Sequence, residues 1–244
     1  MDPAAEARAA RTRRRAIAVA VVAVVVVALL GAGVRADFAP QMDLDAAVSE
    51  AVYAGDDRAA FLGGLLEVLT APGSWVFRLA VLLPVVIWLF LTRAWPSFVW
   101  VLPAVLLVGP LTTLLKEFFG RVRPDFEGGG ARYESLSYPS GHSSGIATLV
   151  TVSLLLAWPY LSRAGRRWAA AGGALLVLVV GLTRMWLGVH FLSDVVGGWA
   201  LGLAWSLAVA LVLGGWPPHR LPPRVPFPGP PGAEVAGPPR DGPP

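Results

Sequence analysis

Residues 183–194 read Thr-Arg-Met-Trp-Leu-Gly-Val-His-Phe-Leu-Ser-Asp and separate two uncharged apolar segments, 168–183 and 195–216. The ionisable side chains of this stretch are Arg184, His190 and Asp194. A charge without a partner costs several kcal/mol beside membrane-crossing segments, so an ionisable residue placed there usually serves a function. The stretch therefore indicates chemistry and not only packing.

His190 and Asp194 lie four residues apart, so in a helix the carboxylate reaches one nitrogen of the imidazole. That contact fixes the tautomer and leaves the other nitrogen available as a nucleophile or a base. Arg184 precedes the histidine by six residues and carries a planar guanidinium suited to hold an oxyanion. Taken alone, the pair is equally compatible with a helix end that is merely capped.

The composition is that of an integral membrane protein. Of 244 residues, 55% are hydrophobic and 15% are charged, whereas soluble domains carry about 25% charged residues. The chain contains no cysteine, which excludes disulfides and thiolate metal sites. Its net charge of +4 comes from arginines that flank apolar segments, so the expected partners are membrane lipids and not nucleic acid.

Six charge-poor segments predict an all-α fold, a bundle of six transmembrane helices. The segments cover residues 16–34, 75–92, 94–115, 143–162, 168–183 and 195–216. Pro84, Pro103 and Pro110 lie inside them, where neighbouring helices in lipid tolerate such kinks. The acidic residues 35–73 predict a loop with short amphipathic helices at the membrane surface.

The chain divides into a basic arm (1–15), a six-span domain (16–216) and a tail (217–244) that contains twelve prolines. The tail is expected to be disordered, because so many prolines exclude a packed helix or core. The first apolar segment favours a retained anchor, since its 19 residues exceed the usual signal-peptide core of about 7–15 residues. Cleavage of a signal peptide after Ala36 is the alternative.

The basic residues predict an orientation through the positive-inside rule. If the N-terminal arm is cytoplasmic, then Arg93, the basic residues of 163–167 and those of the tail all fall on the cytoplasmic side. Residues 35–73, 116–142 and 183–194 then face the opposite side. Both termini are therefore expected in the cytoplasm and the candidate chemistry at the extracytoplasmic face of the cell membrane.

A basic cluster follows the third span. It begins at Lys116 and ends seven residues later at Arg123, which Pro124 follows. Basic residues that flank a membrane helix often extend to lipid headgroups. This cluster, however, lies on the side that the positive-inside rule leaves poor in basic residues, which favours a binding role.

A Ser-Gly-His turn precedes the fourth span, at Ser140, Gly141 and His142. Serine is a natural helix cap, and the first amides of a helix are available to an anion. An ordinary turn with an incidental histidine is the alternative interpretation. The chain has only three histidines, and two of them fall at the predicted outer ends of spans.

Three ordered motifs resemble the signature of the type 2 phosphatidic acid phosphatase family. They read Lys116-x6-Arg123-Pro124, Pro139-Ser140-Gly141-His142 and Arg184-x5-His190-x3-Asp194. This superfamily also includes lipid phosphate phosphatases, undecaprenyl-diphosphate phosphatases and vanadium haloperoxidases. Thr183 stands where the third motif usually has serine, and it keeps the hydroxyl group.

The resemblance implies a phosphatase site that needs no metal or other cofactor. It assigns phosphate binding to Lys116, Arg123, Arg184, Ser140 and Gly141. His190, oriented by Asp194, would attack phosphorus, and His142 would protonate the leaving oxygen and then activate water. Because the two histidines need opposite protonation states, a bell-shaped pH profile is expected.

The predicted function is hydrolysis of a lipid phosphate or diphosphate. A polyprenyl diphosphate such as undecaprenyl diphosphate is favoured, followed by phosphatidic acid and phosphatidylglycerophosphate, and the oligomeric state stays open. A protein that binds or transports lipid phosphate without hydrolysis is the alternative, but it would not need an oriented His-Asp pair. A small-molecule channel would need polar residues along its spans. The aromatic residues expected at the membrane interface are Tyr133, Tyr138, Trp186 and Phe191.

Overall fold

The structure, a computed structural model, describes residues 3–55, 58–126, 134–214 and 216. The predicted tail, 217–244, lies outside the described residues, as does Tyr133. The helices in the described part are α1 Pro3–Arg35, α2 Ala39–Val52, α3 Ala60–Thr70, α4 Trp75–Leu91, α5 Trp95–Phe119, α6 Gly141–Ala157, α7 Arg163–Trp186 and α8 Leu192–Val212. A 3-10 turn at Ala71–Gly73 connects α3 to α4, and a second one at Trp158–Tyr160 follows α6.

Five helices in the described part are each long and apolar enough to cross a membrane: α1, α5, α6, α7 and α8. The sixth predicted span is different, because α4 reaches that length only together with α3, and the pair is bent by 41°. The all-α membrane protein is thus confirmed. The second span is a broken helix pair and not the single straight helix expected at 75–92.

Two helices begin earlier than the charge pattern predicts. Helix α1 starts at Pro3, so the basic arm continues the first span as helix instead of forming a separate segment. Helix α7 starts at Arg163, and the Ser162 hydroxyl accepts a hydrogen bond from the Gly165 amide at 3.1 Å. The basic residues expected in a loop there form the first turns of the helix, because this serine cap precedes them.

Short helices do occupy the acidic segment 35–73, as predicted, in the form of α2 and α3. The segment is not confined to the protein surface. Asp45 of α2 is buried, and so is Thr70 at the end of α3. Both side chains contact residues of the candidate site, so this segment contributes to the interior.

Helices α6 and α8 form the centre of the bundle and meet through glycines. A methyl group at Gly198 would lie 2.5 Å from the Ser140 carbonyl oxygen and 2.7 Å from Cβ of Ser143. Small residues allow membrane helices to approach this closely. The contact places the first turn of α6 against the first turns of α8, where Asp194 lies.

An apolar core extends from this contact towards α4 and α5. It contains the buried side chains of Leu82, Val101, Val105, Ile146 and Val152. The polar residues of the site lie at one end of this core, on the connections between α5 and α6 and between α7 and α8 and on the helix ends beside them.

Tyr138 anchors the connection between α5 and α6. Its side chain is fully buried, its hydroxyl donates to the Val27 carbonyl of α1 at 2.6 Å, and its ring packs edge-on against Phe119. The prediction that Tyr138 contacts the membrane interface is wrong, because a hydrogen-bonded tyrosine fills this interior position instead.

Candidate active site

His190 lies in the connection just before α8, and Asp194 occupies the first turn of that helix. Nδ1 of His190 is 3.2 Å from Oδ2 of Asp194, and the same oxygen accepts from the Phe191 amide at 2.9 Å. The predicted contact between the two side chains is present. A turn produces it, however, and not a shared helix face, because the helix begins only after the histidine.

The neighbours of His190 define its tautomer. Nη1 of Arg123 lies 3.1 Å from Nε2 of His190. A guanidinium can only donate hydrogen bonds, so Nε2 must be the acceptor and carries no proton. The proton of the neutral ring therefore resides on Nδ1, where it faces the carboxylate of Asp194.

Burial keeps His190 neutral. The side chain is 2% exposed, and this burial lowers its pKa from 6.5 to about 3. The Asp194 carboxylate acts to raise the pKa, whereas the positive charges of Arg123 and Arg184 lower it. At neutral pH the ring is thus unprotonated at Nε2, which is the form that can act as a nucleophile.

Three residues that the motifs did not single out complete the surroundings of Asp194. Ser137 donates from its hydroxyl to Oδ2 of Asp194. Arg121 donates from Nη1 to Oδ1 of Asp194 at 2.9 Å, and from Nη2 to Oδ2 of Asp45 at 2.7 Å. Asp45 also accepts from the Ser193 amide at 2.9 Å. A buried arginine therefore connects α2 to the start of α8.

The chain after α5 places two arginines side by side. Gly120 ends the helix with a φ of 70°, a left-handed conformation that glycine adopts readily. Residues 121–123 then have no regular secondary structure. Arg121 reaches Asp194, and Arg123 reaches His190.

The three predicted phosphate-binding cations lie near the histidines, where Lys116 and Arg184 are buried and Arg123 is half-buried. Lys116 donates from Nζ to the carbonyl oxygens of Leu136 and Ser137. Nη1 of Arg184 donates to the Thr70 hydroxyl oxygen at 3.3 Å. All three cations are close enough to His142 to act on it electrostatically, and Arg123 and Arg184 act on His190 as well. The structure therefore gathers the three motifs in one place.

Ser140 and Gly141 open α6 as the sequence predicts. The Ser140 hydroxyl accepts from the Ser143 amide at 3.4 Å, and the Ser140 amide donates to the Asp194 carbonyl at 2.9 Å. Because the Ser140 hydroxyl only accepts in these contacts, its proton can still be donated to a bound molecule. Within the described residues, the amides of Gly141 and His142 make no hydrogen bond, so they stay available to an anion.

His142 is half-buried against the 3-10 turn that precedes α4. A methyl group at Gly73 would lie 2.9 Å from both Cβ and the carbonyl oxygen of His142. In the part of the chain that the structure describes, the His142 ring makes no hydrogen bond. Its nitrogens can therefore exchange a proton with a bound molecule. No group of three His, Asp or Glu side chains in the described ranges is placed to hold a metal ion.

The family model of the PAP2 superfamily matches residues 97–216, a range that contains all three motifs. This part of the chain belongs to the PAP2 superfamily.

Two curated PAP2 relatives match shorter stretches. Phosphatidylglycerophosphatase B of Bacillus subtilis (strain 168) is 43% identical over 96 residues, which cover 38% of this chain and 46% of the relative. Lipid A 1-phosphatase of Rhizobium johnstonii is 35% identical over 116 residues, 43% of either chain. The alignments thus span slightly less than half the length of these relatives.

Two solved PAP2 structures share the fold over a longer range. The crystal structure of a transmembrane PAP2 type phosphatidylglycerolphosphate phosphatase from Bacillus subtilis superimposes with a TM-score of 0.65 at 28% identity. The superposition covers 78% of this chain and 93% of the Bacillus subtilis chain. Aquifex aeolicus LpxE gives a TM-score of 0.50 at 25% identity and covers 71% of this chain and 96% of its own.

The PAP2 match includes α5 to α8 but not the helices before residue 97. Asp45, Thr70 and Gly73, which contact Arg121, Arg184 and His142, lie in the unmatched part. The candidate site is therefore built from both halves of the chain.

Proposed function

We propose that this protein is a membrane phosphatase that hydrolyses a lipid phosphate or diphosphate through a phosphohistidine intermediate on His190. The observation that carries the proposal is the bare Nε2 of His190, which faces Arg123 while Nδ1 faces Asp194. Simple binding of phosphate would require the cations but not a histidine held in the tautomer of a nucleophile.

In the first step, Nε2 of His190 attacks phosphorus and forms an N–P bond. The bond between phosphorus and the leaving oxygen breaks, its electron pair stays on the oxygen, and protonated His142 supplies the proton. Lys116, Arg123 and Arg184 neutralise the equatorial oxygens, whose charge dominates such a transition state. The free amides of Gly141 and His142 and the Ser140 hydroxyl donate to the same oxygens.

In the second step, water attacks the phosphorus of the intermediate. His142, now neutral, accepts a proton from that water, the N–P bond breaks, and inorganic phosphate leaves. Each histidine ends in the protonation state in which it began. The reaction balances with water as the only co-reactant.

Arg121 and Asp45 position the Asp194 carboxylate in this mechanism. Asp194 must keep Oδ2 directed at Nδ1 of His190, and the bond from Arg121 to Oδ1 fixes the rotation of the carboxylate. Asp45 in turn holds the other terminal nitrogen of Arg121. Such outer contacts orient a catalytic histidine without touching the substrate.

The substrate we favour is a polyprenyl diphosphate, with phosphatidylglycerophosphate as the second candidate and phosphatidic acid as the third. The name of the Bacillus subtilis relative supports the second candidate. All three present a phosphate at the membrane surface while their tails stay in lipid. This arrangement suits a polar site at one end of a helix bundle.

The decisive experiment measures phosphate release by the purified protein in detergent with EDTA present. Each of the three lipids is tested with the wild type, His190→Ala and His219→Ala, a matched control because His219 lies in the proline-rich tail. We expect release that persists in EDTA, disappears in His190→Ala and is unchanged in His219→Ala. Lipid binding without release in every form would instead identify a non-hydrolytic lipid-phosphate protein.

We also propose that the site faces the extracytoplasmic side, on the basis of the basic residues. The absence of cysteine in the sequence permits single-cysteine labelling in intact cells. Glu134→Cys, beside the site, should react with a membrane-impermeant maleimide, whereas Arg93→Cys, at the other end of α4, should react only after lysis. The reverse pattern would place the site in the cytoplasm.

A further inference from the structure

Arg78 is a buried cation inside a membrane-crossing helix. It lies one turn into α4 and is 5% exposed. A charge in such a place is costly, and membrane proteins keep one there mainly to pair with an opposite charge or to serve a function.

No opposite charge is present beside Arg78 in the part of the chain that the structure describes. Its guanidinium makes no hydrogen bond and no ion pair there. The Nε atom is fully shielded from solvent. The two Nη atoms also lack a hydrogen-bond partner, but they are not fully shielded from solvent. The 5% of Arg78 that is exposed therefore includes these N–H donors.

Two glycines place the guanidinium beneath the candidate site. A methyl group at Gly145 of α6 would lie 2.6 Å from Nη1 of Arg78, and one at Gly109 of α5 would lie 3.6 Å from Nη2. Gly145 follows His142 by three residues, which is about 4.5 Å along the helix axis. Arg78 is also close enough to His142 to act on it electrostatically.

Arg78 therefore approaches His142 from within the bundle. In the proposed mechanism, His142 protonates the leaving oxygen, so a cation beside it faces the leaving group and not the phosphate that is transferred. Lys116, Arg123 and Arg184 already surround the transferred phosphate. A fourth, unpaired cation next to the leaving group indicates that the leaving group itself carries a negative charge.

We propose that Arg78 binds a second phosphate of the substrate, the one that stays on the leaving group. The inference rests on the proposed function and narrows it to lipids with two phosphates. Those are a lipid diphosphate, or a lipid such as phosphatidylglycerophosphate whose second phosphate is a diester. When the scissile P–O bond breaks, the electron pair stays on the leaving oxygen and His142 protonates it. The second phosphate keeps its charge, which Arg78 neutralises.

The kinetic test compares Arg78→Met, which matches the length of the side chain without its charge, with a control variant. The control is Arg93→Met, at an exposed residue just after the end of the same helix. Substrates are a polyprenyl diphosphate, phosphatidylglycerophosphate and, with one phosphate only, phosphatidic acid. We expect Arg78→Met to reduce kcat/KM about 100-fold on at least one doubly phosphorylated lipid, as for loss of a charge-assisted hydrogen bond. The reduction on phosphatidic acid should stay below about 3-fold, and Arg93→Met should change neither.

Equal losses on all three lipids, or no loss on any of them, would overturn the proposal. In the first case Arg78 only supports the bundle, and in the second it contacts no substrate. Which of the two doubly phosphorylated lipids is affected identifies the source of the second phosphate. Arg78→Lys, which keeps the charge, should recover part of the lost activity.

A binding test separates this inference from the proposed function. The dissociation constants of inorganic pyrophosphate and inorganic phosphate are measured on His190→Ala and on His190→Ala/Arg78→Met, so hydrolysis plays no part. Pyrophosphate should bind at least 10-fold more tightly than phosphate, and Arg78→Met should reduce that ratio about 10-fold. If His190→Ala prefers pyrophosphate by less than 10-fold, or the added Arg78→Met leaves the ratio unchanged, Arg78 holds no second phosphate, whether or not the protein is a phosphatase.

Discussion

Arg123 donates from Nη1 to Nε2 of His190 across 3.1 Å, so an arginine covers the lone pair that the proposed reaction uses. The same guanidinium donates from Nε to the Ser135 carbonyl at 2.7 Å and from Nη1 to the Val189 carbonyl at 2.7 Å. These contacts hold Arg123 in place before substrate binds. In the proposed mechanism, a phosphate that enters the site offers oxygens to Arg123 and frees Nε2 in the same event.

Replacement of Arg123 by lysine tests this exchange. Lysine keeps the charge but lacks the planar fork, so it cannot hold the Ser135 carbonyl, His190 and a phosphate together. We expect Arg123→Lys to reduce kcat/KM about 100- to 1000-fold, in the range for loss of one preorganised donor. Steady-state kinetics check this, with Arg93→Lys as the control. A reduction below about 5-fold would mean that charge alone is required.

The bridge from Asp45 to Asp194 predicts a stability effect. Arg121→Met leaves two buried carboxylates without their shared cation, which should destabilise the protein by about 3–5 kcal/mol. Adding Asp45→Asn removes one of those charges and should recover part of the loss. Thermal unfolding in detergent of both single variants and the double variant gives the coupling energy. Strictly additive effects would contradict a direct Asp45–Arg121 interaction.

The low pKa of His190 predicts how stability depends on pH. The pKa is about 3 in the folded protein and about 6.5 in an unfolded chain, so between these values the unfolded state binds more protons. Stability should therefore be complete above about pH 6.5 and fall as the pH drops towards 3, by about 3 kcal/mol at pH 4.5 for this residue. Unfolding curves of wild type and His190→Asn at pH 7 and 4.5 measure the difference. The variant should lose less stability on acidification, and an equal loss would show that His190 is not buried as a neutral ring.

The glycine contact between α6 and α8 predicts a position-specific effect of a single methyl group. Gly198→Ala would place a carbon 2.5 Å from the Ser140 carbonyl oxygen, so the helices must separate. We expect a loss of about 1–3 kcal/mol and lower activity, because Ser140 and Asp194 lie at this contact. Gly172→Ala in α7 is the matched control, since nothing lies within 4 Å of the added methyl. If both variants unfold at the same temperature, the close approach of the helices is wrong.

Apolar segments and motif spacing predict most of the membrane helices and the central pair of the candidate site, for physical reasons. Membrane helices must satisfy their own backbone, so an uncharged run such as 195–216 already specifies α8. The motif residues His190 and Asp194 lie so close in sequence that local geometry brings them together. The contact between His190 and Asp194 could therefore be predicted before any tertiary contact was known.

The remainder depends on contacts between distant parts of the chain. Arg121 and Asp45 are 76 residues apart, and nothing local distinguishes Asp45 from the other acidic residues of 35–73. Arg78 lies in a segment that is apolar apart from that residue, so it looks like a tolerated exception until the helices packed around it are known. Tyr138 is an aromatic residue with a polar hydroxyl, as is typical of the membrane interface, and only the position of α1 reveals that it is buried.

The bent pair α3–α4 contacts the site at three points: Thr70 meets Arg184, Gly73 meets His142, and Arg78 lies beneath them. All three precede the region that the PAP2 model matches. In the proposed mechanism, the reacting residues thus lie in one half of the polypeptide, and Arg78, which selects the substrate, lies in the other. Exchange of the first 96 residues between superfamily members should transfer preference for a lipid while the hydrolytic machinery stays the same.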